Sequence, residues 1–171
     1  ELPKELSEEL SYPKNSNDVQ HRFLEERQRY SIHDYNFKSS VDHLQKEGKK
    51  HSIELEVYKP DSVNAKTPVI ILLPISGGSY IVSRFFARFY AREGWSSIII
   101  KRRKIYKKFL KVNKLNLIIK QTIIDHKQVI DWIETQDDMN SNNIAILGVS
   151  QGGLKAAAIA AMEPRIKASV I

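Results

Sequence analysis

Apolar positions follow three rhythms along this chain, and each predicts a different kind of element. From His51 to Tyr58 they alternate, with Ile53, Leu55 and Val57 on one side and Ser52, Glu54, Glu56 and Tyr58 on the other. A period of two marks a strand buried on one face. Asp34 to Leu44 alternates more loosely through Tyr35, Phe37, Ser39 and Val41, and Glu47-Gly48-Lys49 between them reads as a turn. The pair predicts an antiparallel hairpin.

The second rhythm is an unbroken apolar run. Val69-Ile70-Ile71-Leu72-Leu73, Ser97 to Ile100 and Ile144-Ala145-Ile146-Leu147 carry no alternation, as expected of parallel strands covered on both faces. Ala168 to Ile171 begins a further strand of this kind. The third rhythm is helical. Ile81, Val82, Phe85, Phe86, Phe89 and Tyr90 predict a helix from about Tyr80 to Glu93, with Arg84, Arg88 and Arg92 on another face and Gly94 closing it. Leu115, Ile118, Ile119, Thr122, His126, Val129, Ile130 and Ile133 trace the buried stripe of a longer helix, Leu115 to Gln136. An Ala-rich helix follows from Leu154 to Met162 and is stopped by Pro164.

Strands and helices alternating at these lengths predict an α/β fold: a mostly parallel sheet with helices on both faces, preceded by the hairpin. Residues 1–17 are polar and read as an arm or tether, and residues 18–171 as the domain. Asn17 or Asp18 can cap a peripheral helix over Val19 to Tyr30, a stretch rich in Arg and Glu. The last strand has no helix after it to cover it, so the domain is expected to continue past residue 171. The chain has no Cys, which excludes disulfides, cysteine nucleophiles and cysteine metal sites. It holds no apolar run of about 18 residues that would span a membrane, and no signal-peptide pattern.

The candidate chemistry lies where the third buried strand ends. Gly148-Val149-Ser150-Gln151-Gly152 matches G-x-S-x-G. The pentapeptide alone is weak, but here an apolar strand precedes it and a small-residue helix follows. A tight strand-to-helix turn lifts the serine hydroxyl above the sheet beside a helix N-terminus, where developing negative charge is stabilised. Small residues at 148 and 152 let neighbouring backbone pass close by. Two other readings stay open: a phosphate-cradling turn, although G-x-G-x-x-G and the P-loop pattern are both absent, and a purely structural turn. A second element, Pro74-Ile75-Ser76-Gly77-Gly78, leaves the end of the first buried strand, the edge where open α/β sheets carry their sites. Its backbone N–H groups at Ser76 and Gly77, together with that of Gln151, are candidates for an oxyanion hole.

Over about residues 35 to 171 the chain resembles the α/β-hydrolase superfamily. The likeness rests on Val69 to Gly78, Ile144 to Gly153 and the Ala168 to Ile171 strand. It implies hydrolysis of an ester, thioester or amide through an acyl-enzyme, with Ser150 as nucleophile and Gln151 and Ser76 N–H groups as oxyanion donors. Pro74-Ile75 stand where the family commonly has His-Gly. The family's acid and histidine come after the nucleophile and later strands, so they are expected beyond residue 171, in the rest of its own polypeptide. A serine without a base is a poor nucleophile, so residues 1–171 alone are expected to be inactive. No cofactor or metal is implied, and the expected partner is a small acyl substrate.

The five histidines, His21, His33, His43, His51 and His126, all precede Ser150. His126 reads as a hydrogen-bonded core residue, and His33, His43 and His51 read as surface residues. The net charge is +7, and eight Lys or Arg fall within residues 101–114. This Lys101 to Lys114 segment reads as a solvated loop, or as a patch for an anionic surface or substrate. No nucleic-acid recognition motif accompanies it. The rival to a hydrolase is a non-catalytic binding protein of the same fold that uses this patch.

Overall fold

The structure is a computed structural model that describes residues 3–14, 18–44, 51–61, 65–75, 79–103 and 115–171. Among the described residues seven strands form one sheet: β1 (Gln20–Arg27), β2 (Tyr30–Lys38), β3 (Ser52–Pro60), β4 (Thr67–Leu73), β5 (Ser96–Ile100), β6 (Met139–Gly148) and β7 (Ile166–Val170). Their order across the sheet is β1-β2-β3-β5-β4-β6-β7. The pairs β5–β4, β4–β6 and β6–β7 are parallel, and β1–β2, β2–β3 and β3–β5 are antiparallel. The parallel half matches the apolar runs. Val69, Ile71, Ile98, Ile144 and Ile146 are all at most 1% exposed, as strands covered on both faces must be.

Among the described residues four helices accompany the sheet: α1 (Lys4–Glu9), α2 (Ile81–Arg92), α3 (Leu115–Glu134) and α4 (Gln151–Met162). One face carries α3 and α4, whose Ile124, Val129, Ile130, Ile133, Ala156 and Ile159 share a core with β4 and β6. The other face carries α2, whose Ala87 and Ala91 pack with Tyr58, Ile70, Leu72 and Ile99. Among the described residues no helix is long and apolar enough to cross a membrane.

Three expectations change. The helix over Val19 to Tyr30 is instead β1 and the turn into β2. Its Arg and Glu favour a helix locally, but pairing with β2 from Gln20↔Asn36 to Arg27↔Tyr30 overrides that preference. A register shift between Phe23 and Glu25 also hides the period of two. The hairpin strand expected over Asp34 to Leu44 starts earlier, at Tyr30, and ends at Lys38. The arm is not a free tether. Leu10 lies in the core at 2% exposure, and the Tyr12 hydroxyl donates to Asp131 of α3 at 2.7 Å. The expected turn at residues 47–49 lies outside the described residues.

Candidate functional site

β6 runs into α4 through Gly148, Val149 and Ser150. Ser150 stands at the N-cap with φ 58° and ψ −123°, and is the one non-glycine residue with positive φ among the described residues. Such a conformation costs a side-chain-bearing residue about 1–3 kcal/mol. Surrounding backbone holds it there. A Cβ on Gly148 would collide with the Gly152 carbonyl, and one on Gly152 would lie 2.7 Å from the Leu73 carbonyl oxygen. Glycine at 148 and 152 therefore lets the turn close on itself and on the end of β4.

The Ser150 side chain is exposed, and among the described residues nothing hydrogen-bonds its hydroxyl. The Gly153 and Leu154 N–H groups donate to the Ser150 carbonyl at 2.9 and 3.3 Å, and the Gly152 N–H to Val149 at 2.9 Å. The Gln151 N–H has no such backbone acceptor among the described residues. It sits in the first turn of α4, where partial positive charge accumulates. The turn thus combines an accessible hydroxyl with an unspent donor, at the C-terminal edge of the parallel strands. Ser76 and Gly77 lie outside the described residues, as do residues 104–114 of the basic segment.

The flank next to this edge is built from the residues after β5. The Arg102 guanidinium donates to the Ile75 carbonyl at 2.7 Å and lies over the Tyr80 ring, 4.9 Å from its centroid. Its backbone N–H donates to the Tyr80 hydroxyl at 2.9 Å. Lys101 pairs with Asp34 at 2.9 Å. Lys155 of α4 is held below the usual lysine range, first by burial and then by the charge of Arg102. Described residues 101–103 therefore fold back onto the protein rather than forming a solvated loop.

The histidines separate. His126 is buried, and its Nδ1 donates to the Thr122 carbonyl at 2.7 Å, which leaves Nε2 as a bare acceptor without a partner. Burial pushes its pKa down to about 4. His43 is exposed, and His33 is part-buried against His21 and Ser31. His51 is not a surface residue. Its side chain is 10% exposed, with Nδ1 3.1 Å from Asp42 and Nε2 3.1 Å from Asp125. Arg103 binds the same Asp42 at 2.5 Å. Burial would raise Asp42, but the bonds from Arg103 and the Leu44 N–H outweigh it and hold the carboxyl below its usual range. The sequence gives no sign of this cluster, because its members meet only across β2, β3, β5 and α3. Among the described residues no group of three or more His, Asp or Glu is placed to hold a metal ion.

A sheet ordered this way, with helices on both faces and a G-x-S-x-G turn at the C-terminal edge of its parallel strands, defines an α/β-hydrolase-like domain. A family model for X-Pro dipeptidyl-peptidase (S15 family) matches residues 9–171, and the chain belongs to that family. No curated protein matches it in sequence. Among solved structures it is similar to a putative acetyl xylan esterase from Bacteroides fragilis, with TM-score 0.73 and 17% identity, over 96% of this chain and 50% of that one. Acetyl xylan esterase 1 from Thermoanaerobacterium gives TM-score 0.72 and 16% identity over 98% and 57%. A glucuronoyl esterase from Solibacter usitatus gives 0.61 and 13% over 95% and 56%. At these identities the likeness is one of fold. The chain spans about half the length of the structures it matches.

Proposed function

We propose that this chain carries the nucleophile of a serine hydrolase that transfers an acyl group to water. The carrying observation is Ser150: a strained, exposed serine at a strand-to-helix turn, beside the unspent Gln151 N–H. In the first step the Ser150 Oγ attacks the carbonyl carbon of an ester or amide, and its proton passes to a base. The oxyanion accepts hydrogen bonds from the Gln151 N–H and from the loop after β4, with Ser76 and Gly77 as the candidate donors. The leaving group departs with a proton, and water then cleaves the acyl-enzyme.

The described histidines are engaged elsewhere or lie in the hairpin region, and none bonds Ser150. The resemblance to the α/β-hydrolase superfamily implies that the base is a histidine, oriented by an acid, that follows the nucleophile in polypeptide beyond residue 171. Family membership supports hydrolase chemistry, and the names of the similar structures point to acyl esters of carbohydrates. The test is intact mass of the full-length gene product before and after a fluorophosphonate probe. One adduct, lost in Ser150→Ala, is expected. No adduct on a folded full-length protein would leave the non-catalytic reading in its place.

A further inference from the structure

The geometry points to Arg102 as a positioning residue that ties Ile75, at the exit from β4, and Tyr80, at the entrance to α2, to the end of β5 and so fixes the Leu73-Pro74 backbone that packs on the Ser150 turn. Three contacts carry this. The guanidinium Nη1 donates to the carbonyl of Ile75, where the chain leaves β4, at 2.7 Å. The guanidinium carbon lies over the ring of Tyr80, where the chain enters α2, 4.9 Å from the ring centroid. The Arg102 backbone N–H donates to the Tyr80 hydroxyl at 2.9 Å. One residue thus holds the exit from β4 and the entrance to α2 together.

The connection to the turn is short. Leu73 and Pro74 carry the carbonyls against which Gly152 packs, so closely that a Cβ at 152 would stand 2.7 Å from the first and 3.4 Å from the second. A shift at Ile75 is passed through Pro74, whose φ is fixed by its ring, to the backbone of the Ser150 turn. Arg102 also lies near enough to Lys155, one turn beyond Gly152 on α4, for its charge to act on that ammonium group. Lysine cannot replace it fully. A guanidinium donates in a fixed plane and stacks on the ring in the same pose, whereas an ammonium group offers a point charge and gives up the stacking. Arg102 thereby anchors Ile75, one of the two residues where this chain departs from His-Gly, by its carbonyl.

This inference rests on the acyl-transfer reading for its effect on rate, but its structural half stands apart from it. The experiment uses the full-length gene product and the variants Arg102→Ala, Arg102→Lys and Tyr80→Phe, with Ser150→Ala as control. Amide exchange is followed across residues 74–80 and, as reference, across β6. Arg102→Ala is expected to speed exchange in the first segment about 10-fold or more, with β6 unchanged, and Arg102→Lys to fall between. Fluorophosphonate labelling should slow by about 10- to 100-fold in Arg102→Ala, the scale of a small misplacement near a reacting centre. Probe affinity should be little changed, and Arg102→Lys should restore part of the rate. Tyr80→Phe keeps the ring and loses one hydrogen bond, so it should cost less than Arg102→Ala. Exchange unchanged in Arg102→Ala overturns the staple outright. Faster exchange with an unchanged labelling rate overturns its link to the turn. Wild-type protein that takes no probe contradicts the acyl-transfer reading, while the exchange result still decides for or against the staple.

Discussion

On one face of the sheet, α3 lays Ile124, Val129, Ile130 and Ile133 against β4, β6 and α4, and none of the four is more than marginally accessible. On the opposite face, α2 turns its small residues Ser83, Ala87 and Ala91 inward. Three of its large residues face solvent: Ile81 is 72% exposed, Phe85 63% and Phe89 52%. Arg84, Arg88 and Arg92 flank that row, and Arg84 reaches back to Glu56 of β3 at 2.8 Å. Small residues inside let α2 lie close to the sheet. Each large one outside forgoes about 1.5–3 kcal/mol that full burial would supply. Among the described residues one face is therefore a finished core, and the other carries α2 with an exposed apolar row.

The comparison breaks most directly at Ile130, which is fully buried. Ile130→Ala should cost about 2–5 kcal/mol in urea unfolding of this chain, and a cost below 1 kcal/mol would mean that the α3 face is loosely packed. Acid offers a second probe of that face. His126 has a folded pKa of about 4, against about 6.5 for an unfolded histidine. Below 6.5 the unfolded chain takes up a proton that the folded one refuses. Its contribution is complete above pH 6.5 and is lost as pH falls toward 4, by up to about 3 kcal/mol. His126→Phe should flatten this part of the stability profile; a profile parallel to wild type would contradict a buried neutral histidine.

On the α2 face the expected effects are smaller. Arg84→Ala leaves the Glu56 carboxylate buried, with the Tyr58 hydroxyl still donating at 2.6 Å. Arg84 is itself 44% exposed at its side chain, so a cost of about 1–2 kcal/mol is expected, discounted from that of a fully buried pair. Burial would raise Glu56 and Arg84 outweighs it, so the variant should also raise the Glu56 pKa, readable by NMR titration. Smallest of all, Phe89→Ser should change the stability of this chain by less than about 0.5 kcal/mol. The same substitution in the full-length gene product reads whether another layer lies on α2. A rise to about 2 kcal/mol or more marks a covered row, and no rise marks a row that stays in water.

The parallel half of the sheet was legible because strands buried on both faces must be apolar throughout, and Val69 to Leu73 and Ile144 to Leu147 are little else. The turn at Ser150 was legible for a related reason. Backbone crowding at Gly148 and Gly152 demands glycine, so the motif records a packing constraint. β1 was not legible. It is an exposed edge strand rich in Arg and Glu, its period is broken at Leu24, and its identity comes from β2. The His51 cluster and the Arg102 contacts were hidden because their partners lie far off in sequence: Asp125 is 74 residues from His51, and Ile75 is 27 from Arg102. A basic run shows only its charge. What each cation holds depends on which loops the sheet order brings to it.

That sheet order also sets a timetable. β2 and β3 are adjacent in the chain and pair over nine residues from Tyr30↔Pro60 to Lys38↔Ser52, so they can zip together as a local hairpin. The centre of the sheet cannot. β4 must wait for β6, with Val69 pairing to Ile144 across the intervening α2, β5 and α3. Closing so long a loop spends chain entropy before any contact repays it. The Ser150 turn hangs on that late pairing, since Gly148 is the last residue of β6 to meet β4. In a refolding experiment the hairpin should therefore gain amide protection first, and the strained serine should reach its final backbone angles among the last.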